Sequence, residues 1–201
     1  MIAIIDYGVG NLFSLVSSLK YIGQEAEVTA DEATLTRADK LILPGVGAFE
    51  DASARLRTTK LDQLVIREAA RGKPILGICL GMQMLFEKSL EFGTHEGLGL
   101  LRGVIAPIPS DAEHKIPHMG WNALQFKGEK SPLFKYIDEG DHVYFVHSYH
   151  AVDCENSVIA TTEYGMNVTA AVAQGNVFGA QFHPEKSGTV GLNILRAFAE
   201  M

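Results

Sequence analysis

The residue types best suited to covalent chemistry in this chain are a cysteine and a histidine held in constrained surroundings. Cys79 sits in Gly77-Ile-Cys-Leu-Gly81, with Ile75, Leu76 and Ile78 before it and Met82, Leu85 and Phe86 after it. The first group reads as a short buried strand and the second recurs at helical spacing. A reactive residue framed as Gly-x-Cys-x-Gly between strand and helix is a nucleophile elbow, whose glycines keep the sharp turn uncrowded. The elbow lifts the thiol above the sheet edge at a helix N-terminus, where partial positive charge favours thiolate. The plainer alternative is a small buried hydrophobe, the usual fate of a free cysteine.

A nucleophilic cysteine needs a base, and the base needs an orienting group. Among seven histidines, His183 in Gln181-Phe-His-Pro-Glu185 closes an apolar run, so it falls at a strand end. Pro184 stiffens the turn, and Glu185 is close enough to hold the far imidazole nitrogen. Cys79, His183 and Glu185 then form a catalytic set. The alternative for His-Pro-Glu is a helix start with an acidic first turn. Gly45-Val-Gly47 leaves a neighbouring strand at the same carboxyl edge. The Gly47 backbone and the Leu80 N–H are the candidate oxyanion donors, with a purely structural turn as the alternative. Gly8-x-Gly10, Gly45-x-Gly47 and Gly97-x-Gly99 each lack the third glycine of a dinucleotide fingerprint. His142, His147 and His150 do not converge along one extended strand, so no metal and no cofactor are expected.

These groups must be positioned by a sheet. Ile2–Ile5, Ala26–Thr29 and Lys40–Pro44 read as strands. Between and after them lie helical patterns through Leu12, Leu15, Val16, Leu19 and Ile22 (with Asn11 as N-cap), Phe49 to Leu56, and Leu61 to Ala69. Strand alternating with helix means a mostly parallel central sheet with helices on both faces, an α/β fold. From about Gly99 to Gly179 helical period fades. Residues 143–147, 157–161, 168–172 and 177–182 read as strands, part antiparallel extension and part main sheet. A last helix follows Glu185. The 201 residues, 47% hydrophobic and 20% charged, suit one domain over 1–201. A net charge of −7 argues against nucleic acid, two distant cysteines suit a reducing cytoplasm, and no apolar run is long enough to cross a membrane. Cys154 has no evident role beyond a buried thiol.

Gly77-Ile-Cys-Leu-Gly-Met-Gln83 together with Phe182-His-Pro-Glu185 resembles the class I (triad) glutamine amidotransferases. Asp6 to Asn11, Pro44 to Phe49, Pro117-His-Met-Gly-Trp-Asn122, Phe145 to Tyr149 and Lys186-Ser187 resemble the branch of that family serving histidine biosynthesis. The resemblance implies a flavodoxin-like glutaminase that attacks glutamine with Cys79 and releases glutamate and ammonia through a thioester. It implies that ammonia is channelled to a (β/α)₈-barrel cyclase subunit, in a heterodimer making imidazole glycerol phosphate and aminoimidazole carboxamide ribotide. Gln83, Glu91, His147, Ser148 and Tyr149 would then line the glutamine pocket. Asn11, Trp121 and Lys186 would face the partner, with Met119, His118 and Asn122 beside Trp121 in an amphipathic patch. An isolated glutaminase would waste glutamine, so low activity is expected until the partner turns the Val46–Gly47 peptide. A glutaminase for anthranilate, aminodeoxychorismate or guanylate synthesis, a stand-alone cysteine hydrolase of γ-glutamyl compounds, and an inactive binding subunit are the competing readings.

Overall fold

Ile2–Ile5 (β1) is buried at every position, as expected of a strand covered on both faces. Its side chains alternate between two core layers. Ile2 and Ile4 join Leu15, Leu19, Ile194 and Phe198, while Ala3 and Ile5 join Phe49, Leu56 and Leu64. The computed structural model describes residues 1–110 and 114–201. After β1 come α1 (Leu12–Tyr21), β2 (Ala26–Thr29), α2 (Glu32–Arg37), β3 (Lys40–Leu43), α3 (Phe49–Thr58), α4 (Leu61–Ala70), β4 (Ile75–Ile78) and α5 (Leu80–Met84). The chain then continues through β5 (Phe86–Ser89), β6 (His95–Glu96), β7 (Leu101–Pro107), β8 (His118–Ala123), β9 (Gln125–Phe126), β10 (His142–His147) and β11 (Tyr149–Val152). It closes with β12 (Val158–Glu163), β13 (Asn167–Gln174), β14 (Val177–Ala180) and α6 (Gly188–Ala199).

The main sheet has the order β2-β1-β3-β4-β14-β13-β12-β9. It is parallel from β2 to β14 and antiparallel from β14 to β9. The expected mostly parallel α/β architecture with an antiparallel extension is therefore what the chain adopts. A four-stranded sheet, β11-β7-β5-β6, and the β8–β10 ribbon flank it.

Several local expectations are corrected. Phe86 is not helical: α5 ends at Met84, and Phe86 opens β5 beside Leu101 of β7. Its burial serves a second sheet, which periodicity over a few residues cannot separate from a helix face. The short helix α2 is absent from the sequence reading although Asp31 caps it, accepting from Thr34 N at 2.8 Å. Asn11 occupies the N-cap of α1 but makes no side-chain cap bond. The strand before His183 stops at Ala180, two residues short of the expected 177–182. His147 and His150 lie on strands of different sheets, β10 and β11, so parity cannot be carried across Ser148 between them. Along β8 His118 is fully buried while Met119 and Trp121 are exposed by 58% and 52%. Alternation along a strand puts His118 on the face away from Met119 and Trp121, so His118 is not part of the surface patch.

Candidate active site

The strand β4 delivers Cys79 to the sheet edge between β3 and β14. Cys79 adopts φ 53° and ψ −112°, a conformation costly for any residue with a Cβ. The surroundings hold it there. Its N–H donates to the Ala180 carbonyl at 2.7 Å, and its carbonyl accepts from Gln83 N at 3.1 Å. A Cβ on Gly81 would lie 1.8 Å from the Leu43 carbonyl oxygen, and one on Gly77 2.7 Å from the Met82 backbone. The two glycines that frame the cysteine are thus demanded by close backbone approach.

His183 is 2% exposed and follows β14, the strand next to β4. Its backbone is pinned on both sides: N donates to the Tyr144 carbonyl at 3.0 Å, and the carbonyl accepts from Ser187 Oγ at 2.6 Å. Its Nδ1 lies 2.8 Å from Glu185 Oε1, which leaves Nε2 for Cys79. Burial works to lower the His183 pKa, but hydrogen bonding and charge from Cys79 and Glu185 outweigh it and raise it to about 9. Cys79 and Glu185 together thus favour the protonated imidazole.

Cys79 and His183 line one cavity of about 320 Å³. Gly47, Leu80, Gln83, Glu91, His147, Ser148 and Tyr149, each singled out from sequence, line it too. Gly47 has φ 94°, and the Leu80 N–H, first in α5, has no intrahelical acceptor. Glu91 Oε2 accepts from Phe49 N at 2.6 Å, two residues beyond Gly47. Lys186, expected at the partner face, also lines this cavity. Asn11 lies behind it, lining a small void with Gly45, His183 and Glu185. Trp121 is separate, in a surface groove with Asn122, His142 and Tyr164.

Two side chains were not assigned from sequence. Gln181 is fully buried, and its Nε2 lies 3.7 Å from Cys79 Sγ. Its Oε1 accepts from Gln83 Nε2, which also donates to the Tyr149 carbonyl. Tyr7 donates its hydroxyl to the Pro44 carbonyl at 2.6 Å, behind the Gly45–Gly47 turn. Burial, then charge on Cys79, pushes its pKa up. A polar residue two places before His183 on an apolar run was a usable signal for Gln181; Tyr7 carried none.

The model of the class I glutamine amidotransferase family matches residues 3–201. The chain belongs to this family. Among its relatives is the imidazole glycerol phosphate synthase subunit HisH of Oceanobacillus iheyensis, 50% identical over 202 residues, 100% of this chain and 99% of the relative. HisH of Bacillus subtilis is 50% identical over 206 residues, covering 100% and 96%. Of solved structures, a glutamine amidotransferase superposes with TM-score 0.77 at 21% identity over 100% of this chain and 98% of its own. A putative GMP synthase subunit from Thermoplasma acidophilum gives 0.72 at 19% over 99% and 92%. At those identities the two structures speak for the shared amidotransferase fold.

Proposed function

We propose that this chain is the glutaminase subunit of an imidazole glycerol phosphate synthase, one amidotransferase domain over 1–201. The observation that carries the chemistry is the single cavity holding Cys79 and His183, with Glu185 bonded to the far imidazole nitrogen. The full-length relatives at 50% identity carry the choice of synthase.

Cys79 Sγ attacks the side-chain amide carbon of glutamine, and the oxyanion is met by the N–H groups of Leu80 and Gly47. As the C–N bond breaks, His183 gives its proton to the leaving nitrogen, and ammonia departs from a glutamyl thioester. His183 then takes a proton from water, hydroxide adds to the thioester carbon, and glutamate leaves as Cys79 is regenerated. Glu185 holds the imidazole and stabilises its positive charge. Gln83, Glu91 and the 147–149 segment bind the substrate's polar groups. Trp121, exposed beside Met119, suits an interface anchor, and Asn11 and Lys186 are assigned to the partner side, Lys186 from the cavity wall and Asn11 from the small void beside it. That partner is a (β/α)₈-barrel cyclase subunit, which uses the ammonia to form imidazole glycerol phosphate and aminoimidazole carboxamide ribotide. The cytoplasm is the compartment proposed, since both cysteines are free thiols, as a reducing compartment keeps them.

The test is glutamate release by the chain alone and with the barrel subunit and its nucleotide, with Cys79→Ser as control. Slow turnover alone, rapid turnover in the complex and none in the variant are expected. Equal turnover with and without the partner would remove the activation step assigned to the Val46–Gly47 peptide.

A further inference from the structure

A line of polar contacts runs from the cavity wall to the surface. His147 Nδ1 lies 2.8 Å from the Tyr149 carbonyl. His147 Nε2 lies 2.9 Å from His118 Nδ1, and His118 Nε2 lies 2.9 Å from Asn122 Oδ1. Asn122 Nδ2 donates to the Glu163 carbonyl at 3.2 Å. Both ends are acceptors. A carbonyl cannot donate, and the Glu163 carbonyl orients the Asn122 amide so that its oxygen meets His118. Three contacts between two imidazoles and two fixed acceptors need three protons, whereas two neutral imidazoles carry two. The pair is either cationic with three bonds or neutral with one contact where lone pairs meet.

Burial favours the neutral pair. His118 is fully buried, stacked between the rings of Phe145 and Tyr164 at 4.8 and 4.1 Å. Burial pulls the His147 pKa down to about 3 against the bond to Tyr149, with His118, His150 and His183 adding repulsion. Burial lowers His118 as well, against its bond to Asn122. The unmet contact then falls where relief is cheapest, at partly buried Asn122, where a water can enter between the facing lone pairs. At the other end the Tyr149 carbonyl also accepts from Gln83, which reaches Cys79 through Gln181.

We propose that His118 is a positioning residue of the glutaminase site: through His147 it sets the Tyr149 carbonyl, and the proton shared out between the two rings ties that cavity wall to Asn122. The proposal rests on the glutaminase reading. The ionisable groups facing the pair are His150 and His183 beside His147, and Cys79, Glu91 and Lys186 across the cavity. Tyr164 lies against His118, and His142 and Glu163 line the groove at Asn122.

Nitrogen-15 NMR of the imidazoles in the full chain counts the protons directly. At neutral pH the two rings should show two protonated and two bare nitrogens. In Asn122→Asp a carboxylate that accepts from His118 and favours its charge should make them three and one. In the complex, His118→Phe keeps the stacking but removes both contacts, and should raise the KM for glutamine about tenfold with kcat within about twofold. His118→Gln, which can still donate to His147, should recover most of that loss. An unchanged nitrogen count in Asn122→Asp, or a His118→Phe enzyme with wild-type KM, overturns the proposal even if glutaminase activity is intact. A wild-type complex that releases no glutamate overturns the glutaminase reading and the role of His118 with it. Asn122 is only partly buried and Asp keeps its size, so the spectroscopic arm does not depend on His118→Phe folding.

Discussion

The chain has two cysteines, and by several measures they are alike. Cys79 and Cys154 are 7% and 6% exposed. Each lines a cavity, of about 320 and 410 Å³. Each stands at a non-glycine residue of positive φ, Cys79 itself at 53° and Asp153 at 55°. Burial, volume and backbone strain therefore do not make a nucleophile. The difference is in the neighbours. Cys79 has His183, whose pKa its surroundings raise, backed by Glu185, and the Gln181 amide. Cys154 is set among burial and the carboxylates of Glu155 and Asp153, which outweigh a bond from Thr169 and push its thiol up to about 11. One cysteine has a histidine base and its carboxylate in the same site, whereas the other sits where negative charge on sulfur is opposed.

The sharpest way to break this comparison is to exchange the sulfur at each site. Cys79→Ser should lower glutamate release by the complex about 10³-fold or more, because hydroxyl is a far weaker nucleophile than thiolate with the same base. Residual turnover within tenfold of wild type would place the nucleophile elsewhere.

Next in size is Glu185→Gln, which keeps shape but removes the charge behind His183. A fall in kcat of about 10²-fold is expected, with KM less affected. The same variant carries a stability signature. The His183 pKa is raised to about 9, so its protonation stabilises the fold fully below the unfolded-state value of about 6.5, and that stabilisation is lost as pH rises through about 9. His147, lowered to about 3, acts on the other side: its contribution is present above about 6.5 and is lost as pH falls. Wild-type unfolding followed by denaturant should weaken in both directions. Glu185→Gln should flatten the alkaline limb and leave the acid limb alone. A loss on the acid side instead would contradict the charge state assigned to His183.

A third contrast concerns the glycines of the two turns that meet at the sheet edge. Gly81→Ala forces a Cβ to 1.8 Å from the Leu43 oxygen and should destabilise by about 3 kcal/mol or more, since backbone must move. At Gly47 a Cβ meets nothing within 4 Å. Gly47→Ala is therefore opposed only by its φ of 94° and should cost about 1–2 kcal/mol in stability. Differential scanning calorimetry separates the two; equal losses would mean that the elbow yields more than its packing suggests.

These contrasts also mark what could be read from the residues alone. The elbow was legible because its chemistry is local. Strand, sharp turn, cysteine and helix occupy consecutive positions, and the steric need for Gly77 and Gly81 is written in the spacing. The parallel strands were legible because burial on both faces removes polar alternation from Ile2–Ile5. Phe86 was misread because it continues the apolar run of α5 while opening β5, whose next residues Glu87, Lys88 and Ser89 are polar, and only the pairing with β7 decides its state. The placement of His118 was misread for a similar reason. Its motif neighbours Met119 and Trp121 suggested a common surface, but a strand turns successive side chains to opposite faces. The contact with His147 depends on the antiparallel register of β8 on β10, which sets His147 opposite His118. Gln181 left a signal in its place two residues before His183, whereas Tyr7 touches the site across sheet neighbours, a contact no spacing encodes.

The smallest effect expected is at the second cysteine, and it is the one that gives the comparison its meaning. Cys154→Ala removes a buried thiol that touches no part of the Cys79 cavity and should leave glutamate release within about twofold of wild type, with a stability loss of about 1 kcal/mol from the lost packing. In the native chain Cys154 should also resist alkylation at neutral pH, because a thiol held near 11 is almost wholly protonated and the thiolate is the reactive form. A glutamine-analogue electrophile should therefore label Cys79 and spare Cys154, as peptide mapping would read. Labelling of Cys154 in the folded wild type at a rate near that of Cys79 would mean that its carboxylate surroundings do not suppress the thiolate. The two cavities would then differ in shape alone, and the reactivity of Cys79 would need a cause other than His183.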